Sequence, residues 1–272
     1  MLKQRSVFHV FLLAFYLVIS IVFFLSSSLC AKPVGEEIYG SIEPKLYLTG
    51  QFDPTKHELF ATVASYKIDD HGRGIYLRKE ALVALSKMVD QLKKDLGPNT
   101  PFWVQSGTRN FYSQKAIWQS KWNGQVKVGG ISLTTVKDPV ERARRILSYS
   151  SMPSTSRHHW GTDFDINSLT VSYYKSGIGK KIYDWMLKNA PQYGFCLPYS
   201  ETGRSDGYEF ERGYEFEPWH WSYKPLASPL LQEWEKYYKA GLINGKDVSF
   251  LGSDSAYSLA PVYVGGVSAS CR

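Results

Sequence analysis

Two short stretches of the chain carry side chains that suit a metal site. The first holds His158 and Asp165 with Gly161 between them, and the second holds Glu217 and His220. Alternate residues of an extended segment share a face, so Asp165 can face His158 if the chain turns at Gly161, whose backbone permits such a turn. Two imidazoles and a carboxylate are the protein ligands of a catalytic zinc site, which keeps its fourth position for water. We therefore predict one Zn²⁺ ion bound by His158, Asp165 and His220.

Glu217 has the spacing of a base for that site. It lies three residues before His220, close enough to reach a water molecule on the metal. Zinc lowers the pKa of such a water to about 7, and a nearby carboxylate can take its proton as the water attacks a carbonyl. The same acid can then pass the proton to the leaving amine. The pattern predicts a hydrolase, a zinc metallopeptidase in which Glu217 activates the zinc-bound water.

Four motifs in order resemble the D-alanyl-D-alanine carboxypeptidases of the VanY type, which belong to the wider LAS group of zinc peptidases with lysostaphin-like enzymes and hedgehog domains. They are Ser-Gly-x-Arg from Ser106 with Gln114, Ser-x-His-x-x-Gly-x-x-x-Asp from Ser156, Tyr-Gly-Phe-x-Leu from Tyr193 and Glu-x-Trp-His from Glu217. The similarity runs from about residue 77 to residue 223, which is more than half of the chain.

The resemblance implies a role for each matching residue. The zinc ligands are matched by His158, Asp165 and His220, the catalytic base by Glu217, and substrate-binding positions by Gln114 and Ser156. Arg109 matches the arginine that binds or polarises the substrate near the scissile bond. A guanidinium can hold a terminal carboxylate with two hydrogen bonds or neutralise a developing oxyanion.

The implied activity is hydrolysis of the terminal D-Ala-D-Ala bond of peptidoglycan stem peptides, which makes these peptides the expected partners. Three alternatives stay open. These alternatives are an L,D-carboxypeptidase, a peptidoglycan endopeptidase, and a non-catalytic zinc-containing module that binds the cell wall. The presence of Glu217 argues against the last, because loss of the base is the sequence sign of such a module.

Three residues depart from the family pattern. Thr108 stands where the family usually has Tyr, and His159 duplicates His158, although the motif spacing selects His158 as the ligand. Asp163 stands where the family usually has Ala. It shares a strand face with Asp165, so it is either a hydrogen-bond acceptor behind the ligands or a competing ligand. The sequence leaves the role of Asp163 open.

The alternation of helices and strands predicts a single α+β domain over residues 32–272, with its core at 77–223. The resemblance implies a small antiparallel sheet that carries the zinc site and is flanked by helices. Apolar spacing predicts helices at 77–96, 110–122, 139–149, 177–189 and 229–240, and strands at 102–104, 164–169, 193–197 and 215–223. We expect residues 32–71 to form an irregular arm.

The first 31 residues are predicted to be a targeting segment. Lys3 and Arg5 precede the almost wholly apolar stretch 7–25, and small residues follow as far as Ala31, which is typical of a signal peptide. The apolar stretch is also nearly long enough to stay as a membrane anchor, and Cys30 is a candidate for lipidation. Each alternative predicts an exported protein, periplasmic or in the cell envelope, that meets a membrane only through this segment if it is retained.

Composition narrows the classes of partner. A hydrophobic content of 43% and a charged content of 21% argue against disorder. The net charge is +7, of which +5 lies beyond Lys3 and Arg5, and this mild excess suits an anionic surface such as a cell wall. The absence of a basic run with interleaved aromatics argues against nucleic acid. We expect a monomer. Cys196 and Cys271 either pair, as suits an exported chain, or remain free thiols.

Overall fold

A four-stranded antiparallel sheet runs through the part of the chain that carries the motifs. The computed structural model describes residues 35–201, 213–246 and 248–272. Within them the strands are β1 (Phe60–Thr62), β2 (Tyr76–Arg78), β3 (Val104–Ser106), β4 (Asp163–Ile166), β5 (Phe195–Cys196) and β6 (His220–Tyr223). The helices are α1 (Pro44–Leu48), α2 (Lys79–Leu96), α3 (Phe111–Trp122), α4 (Pro139–Leu147), α5 (Gly177–Asn189), α6 (Lys224–Lys239), α7 (Ser253–Ala256) and α8 (Ala260–Gly265).

The order of strands in this sheet is β3-β4-β6-β5. Antiparallel pairing of β4 with β6 sets Asp165 opposite His220 and Asp163 opposite Ser222. Because side chains alternate along a strand, these four polar residues share one face of the sheet. The expected α+β fold with a small antiparallel sheet is confirmed, and the sheet carries two of the three predicted ligands.

The opposite face of the sheet is apolar. Phe164 and Ile166 of β4 and Trp221 of β6 are buried there, in a core shared with the inward faces of α2 and α5. Burial of each large apolar side chain stabilises the fold by about 1.5–3 kcal/mol, and this holds the strands against the helices. Packing on the apolar face therefore also fixes the positions of the polar side chains on the opposite face of the sheet.

A second apolar core lies on the other side of the site. It joins side chains of α1, α3, α4, α6 and the C-terminal helices, among them Trp118, Leu147 and Trp234. Trp160, which lies two residues after His158, belongs to this core. The predicted ligands are therefore held between two cores. Contacts join Ile38–Arg272 into one compact unit, and the described residues before it belong to a separate N-terminal unit.

The structure corrects several predicted boundaries. Residues 215–219 are irregular and only His220–Tyr223 is strand, because Pro218 has no N–H to donate and the chain turns from Glu217 to His220. The last long helix begins at Lys224 rather than 229, since Pro225 fits its first turn and Pro229 lies inside it. The predicted irregular arm contains α1 and also β1, which pairs with β2.

Cys196 and Cys271 form a disulfide that ties the C-terminal segment to β5. The alternative of two free thiols is therefore wrong. The predicted targeting segment, residues 1–31, lies outside the described residues. Among the residues that are described, no helix has the length and apolar character needed to cross a membrane.

Candidate metal and catalytic site

The three predicted ligands come together on the polar face of the sheet. His158 lies on a short 3-10 helix, Arg157–Trp160, and Gly161 ends it in the left-handed conformation with φ 72°. A Cβ at position 161 would lie 2.4 Å from the ring of Phe60, so glycine is required for space as well as conformation. The chain then enters β4, where Asp165 pairs with His220. Potential ligand atoms of the two histidines and Asp165 all lie within 4.8 Å of one another.

His158 is oriented by a backbone carbonyl. Its Nδ1 lies 2.8 Å from the carbonyl oxygen of Gly107, so Nδ1 carries the proton and Nε2 keeps its lone pair. Nε2 lies 3.5 Å from Oδ2 of Asp165. Within the described chain, neither Nε2 of His158 nor Oδ1 of Asp165 has a hydrogen-bond partner, although both atoms are buried. Buried polar atoms without partners are costly, so this pair fits a cation of the zinc type.

His220 brings the third nitrogen to the same point. Its Nδ1 lies 3.2 Å from Oδ1 of Asp165 and 3.3 Å from Oε2 of Glu217. Its ring centroid is 4.7 Å from that of His158. Glu217 is fixed by the backbone, because its N–H donates to the carbonyl of Tyr199 and its own carbonyl accepts from the N–H of His220. The predicted base therefore adjoins the predicted ligands.

Charges in the site shift the protonation of its members. Burial and the charge of Arg109 hold the pKa of His158 below its usual range, which keeps the ring neutral as a ligand must be. Burial opposes ionisation of Asp165, but the adjacent imidazoles of His158 and His220 hold its pKa well below the usual range. A neutral imidazole and an ionised carboxylate are the forms that bind zinc.

Glu217 and His220 shift in the opposite direction. Burial raises the pKa of Glu217, with the charge of Asp165 adding to this and His220 opposing it. A raised pKa suits a carboxyl that both takes and returns a proton near neutral pH. Burial opposes charge on His220, but the hydrogen bond to Asp163 and the adjacent carboxylates of Asp165 and Glu217 hold its pKa well above the usual range. Binding of a cation at Nδ1 must therefore displace a proton.

Arg109 lies on the turn that follows β3, against the segment that carries His158. Its N–H donates to the carbonyl of His158, and its carbonyl accepts a hydrogen bond of 2.6 Å from Nδ1 of His159. Its buried Nε makes no hydrogen bond to any described residue, and neither does Oγ1 of the neighbouring Thr108. Together with Arg73, both residues line a cavity of about 370 Å³. The guanidinium is thus available to a ligand.

His159 has a structural role. Its Nε2 accepts the N–H of Ser154 at 3.1 Å while Nδ1 faces the carbonyl of Arg109. Burial lowers its pKa to about 3, so the ring stays neutral. Both ring nitrogens are committed to backbone groups, which leaves His158 as the histidine that faces Asp165.

The two other predicted substrate contacts are Gln114, which lies on α3, and Ser156, which directly precedes the 3-10 helix of His158. Nε2 of Gln114 donates to the carbonyl of Ser151 at 2.7 Å, which positions the loop that leads to Ser156. Oε1 of Gln114 and Oγ of Ser156 are buried, and neither has a hydrogen-bond partner in the described ranges. Their assignment to substrate binding stays a prediction.

Sequence reasoning missed two cations of this region. Lys121 of α3 is partly buried, donates to Oγ of Ser150 at 2.5 Å and interacts electrostatically with Arg109 and Glu217. Arg157 is buried and forms an ion pair of 2.9 Å with Asp163. Spacing along a helix suggests a solvent-exposed lysine at position 121. For Arg157, the only sequence signal is the acid six residues later, which is too common to be informative.

Comparisons with known proteins agree with the motifs. A family model described as D-alanyl-D-alanine carboxypeptidase (VanY) matches residues 74–226. The putative carboxypeptidase YodJ of Bacillus subtilis (strain 168) is 27% identical over 194 residues, which cover 69% of this chain and 60% of YodJ. A D-alanyl-D-alanine carboxypeptidase of Enterococcus faecium is 28% identical over 160 residues, 58% of this chain and 41% of that protein. The chain therefore spans less than two thirds of the length of either relative.

Among solved structures, the LD-carboxypeptidase LdcB is similar to this chain with a TM-score of 0.46 and 20% sequence identity. The alignment covers 70% of this chain and 80% of the LdcB chain.

Proposed function

We propose an activity for this chain, which belongs to the VanY family of D-alanyl-D-alanine carboxypeptidases. It is a zinc-dependent carboxypeptidase that removes the terminal D-alanine of peptidoglycan stem peptides. One observation carries the proposal. Three candidate ligand groups meet at one buried point, namely the unpartnered Nε2 of His158, the carboxylate of Asp165 and Nδ1 of His220. The carboxylate of Glu217 lies 3.3 Å from Nδ1 of His220.

The three ligand residues would hold one zinc ion through two imidazole nitrogens and one carboxylate. Such a ligand set leaves a coordination position open. When bound, zinc supplies a Lewis acid that polarises the scissile carbonyl and makes a water molecule acidic near neutral pH.

Glu217 accepts the proton of the attacking water and then donates it to the leaving amine. Its carboxylate accepts that proton as the water oxygen forms a bond to the scissile carbonyl carbon, and its burial and raised pKa favour holding the proton until the C–N bond breaks. The amine of the departing D-alanine then takes the same proton. The hydrolysis is balanced by this single transfer, because water supplies the hydroxyl of the new carboxyl group and the proton of the leaving amine.

Arg109 recognises the substrate. The terminal carboxylate of a stem peptide lies one residue beyond the scissile bond, and a guanidinium can bind it with two parallel hydrogen bonds. The buried Nε of Arg109, which lacks a partner among the described residues, is the donor that such a carboxylate would satisfy. Gln114 and Ser156, whose buried oxygens have no hydrogen-bond partner in the described ranges, would supply further polar contacts.

Digestion of defined peptides, read by mass, tests the proposal. Zinc-loaded protein is expected to remove one alanine from a stem pentapeptide that ends in D-Ala-D-Ala. It should leave a tetrapeptide that ends in a single D-Ala and a cross-linked dimer intact. Cleavage of the tetrapeptide instead would assign an L,D-carboxypeptidase, and cleavage of the dimer an endopeptidase. Zinc binding with no cleavage of any of the three would assign a wall-binding module.

We also propose that the protein is exported to the periplasm or cell envelope. The apolar segment at 7–25 supports this, and a disulfide between Cys196 and Cys271 suits an oxidising compartment. Fractionation of cells should recover the protein outside the cytoplasm, whereas a cytoplasmic protein with reduced thiols would refute the proposal.

A further inference from the structure

Asp163, whose role the sequence leaves open, is the acceptor at the centre of a buried network. Its Oδ1 accepts from Nε of Arg157 at 2.9 Å and faces Nε2 of His220 at 3.0 Å. Its Oδ2 accepts from Oγ1 of Thr162 at 2.6 Å and from Oγ of Ser222 at 2.9 Å. The side chain is fully buried. A carboxylate offers about four lone-pair positions, so these four donors occupy it completely.

This occupancy excludes Asp163 as a competing metal ligand. A ligand oxygen needs a free lone pair directed at the ion, and both oxygens of Asp163 are already in use. Its charge is matched by Arg157, which is buried, stacks over Trp160 at 5.1 Å and also donates to Oγ of Ser222. The pair is therefore a stable, ionised unit behind the site rather than part of the ligand set.

The buried network around Asp163 determines which ring nitrogen of His220 carries the proton. With Nε2 donating to Asp163, the proton of the neutral ring is fixed on Nε2, and Nδ1 presents its lone pair toward Asp165 and Glu217. His158 is held differently, since its orienting partner is the uncharged carbonyl of Gly107. A carboxylate that accepts from a ligating histidine both orients the ring and makes its other nitrogen a stronger donor.

We propose that Asp163 is a positioning residue for the metal, which fixes the tautomer and orientation of His220 and strengthens its bond to zinc. The proposal rests on the proposed function in that zinc is the ion expected at His158, Asp165 and His220.

Asp163→Asn tests whether the negative charge of Asp163 strengthens zinc binding. The amide keeps the size of the side chain and one acceptor oxygen for His220, while Thr162 and Ser222 can turn to accept from its NH₂ group. Removal of such an outer carboxylate lowers metal affinity by about 10- to 100-fold. We expect that loss in the zinc dissociation constant, measured at fixed pH by competition with a chromophoric chelator. Circular dichroism of the metal-free variant reports whether the fold is kept.

Thr162→Val is the matched control. It removes a donor from the same buried carboxylate, but from Oδ2 rather than from the oxygen that faces His220. We expect zinc affinity to stay within about threefold of wild type, since the hydrogen bond to the ligand is untouched. An equal loss in both variants, or wild-type affinity in Asp163→Asn, would overturn the positioning role.

A spectroscopic measurement on the unaltered protein covers the case in which the variant does not fold. In ¹⁵N NMR spectra of the zinc-loaded protein, Nε2 of His220 should carry the proton and Nδ1 should show the shift of a metal-bound nitrogen. A proton on Nδ1 with zinc on Nε2 would contradict the proposal. Neither result depends on turnover, so a protein that binds zinc in this way without releasing D-alanine would refute the proposed function alone.

Discussion

At the scale of single residues, the proposed function assigns the charge of Arg109 to binding the substrate rather than the metal. We predict that Arg109→Gln lowers kcat/KM for a D-Ala-D-Ala peptide by about 10- to 100-fold, mainly through KM, because a hydrogen bond to a charged group contributes about 1.5–3 kcal/mol. Steady-state kinetics at saturating zinc measure the effect. Zinc affinity should be almost unchanged, since Arg109 is not a ligand.

Arg73→Gln is the control for that variant. Arg73 lines the same cavity, but its guanidinium is exposed and donates to the carbonyl of Gln105. An exposed charge contributes little, so we expect kcat/KM within about threefold of wild type. A fall as large as that of Arg109→Gln would mean that the general positive potential of the cavity binds the substrate, not the specific contact we assign to Arg109.

At the scale of elements, Gly50 links α1 to the segment that carries the ligands. Its φ is +71°, and a Cβ at this position would lie 2.4 Å from Nδ1 of His159, which hydrogen-bonds to the carbonyl of Arg109. We predict that Gly50→Ala destabilises the fold by about 1–2 kcal/mol from the left-handed backbone and by about 1–3 kcal/mol more from overpacking. Urea unfolding measures the sum.

Gly72→Ala separates the two contributions. Gly72 has the same φ of +71°, but a Cβ there meets nothing within 4 Å. The control should therefore lose only the conformational part, about 1–2 kcal/mol. Equal losses in the two variants would show that the ring of His159 yields without cost and that the contact is not needed to hold the segment.

The elements also show where sequence patterns stop being informative. The long amphipathic helices α2 and α5 are predicted to within two residues, because their apolar spacing persists over three turns or more. The strands are only two to four residues long, so alternation barely has room to appear. Residues 215–219 alternate like a strand, yet Pro218 and the turn at Glu217 keep them out of the sheet, and this turn brings the carboxylate of Glu217 to His220.

At the scale of the whole molecule, the disulfide Cys196–Cys271 fastens the C-terminal segment to the edge strand beside β6. It spans a sequence separation of 75 residues. Loops of this length give a stabilisation of about 2–5 kcal/mol by restricting the unfolded chain. We predict that a reductant lowers the melting temperature of the wild type. In the Cys196→Ser/Cys271→Ser variant the melting temperature should already be low and should not respond to the reductant.

Over the whole molecule, the sequence predicts the cluster of His158, Asp165 and His220 better than its surroundings. His158, Asp165, His220 and Glu217 can be selected because metal chemistry demands specific residue types at set spacings. The network of Asp163 cannot be selected in this way, since it depends on Ser222, which lies 59 residues away and becomes a neighbour only through the register of β4 and β6. Partners of this kind are set by tertiary packing and leave no local pattern.

A zinc titration of D-alanine release is the strictest test of the proposed zinc-dependent hydrolysis. Metal-free protein receives measured equivalents of zinc, and release from a D-Ala-D-Ala stem pentapeptide is followed. We predict that release rises in proportion to zinc and levels off at one equivalent. Glu217→Gln should bind the same equivalent but release D-alanine at least about 100-fold more slowly, because the general base is lost. Release before zinc is added would refute the dependence on zinc, and wild-type release by Glu217→Gln would refute the role of Glu217 as the base.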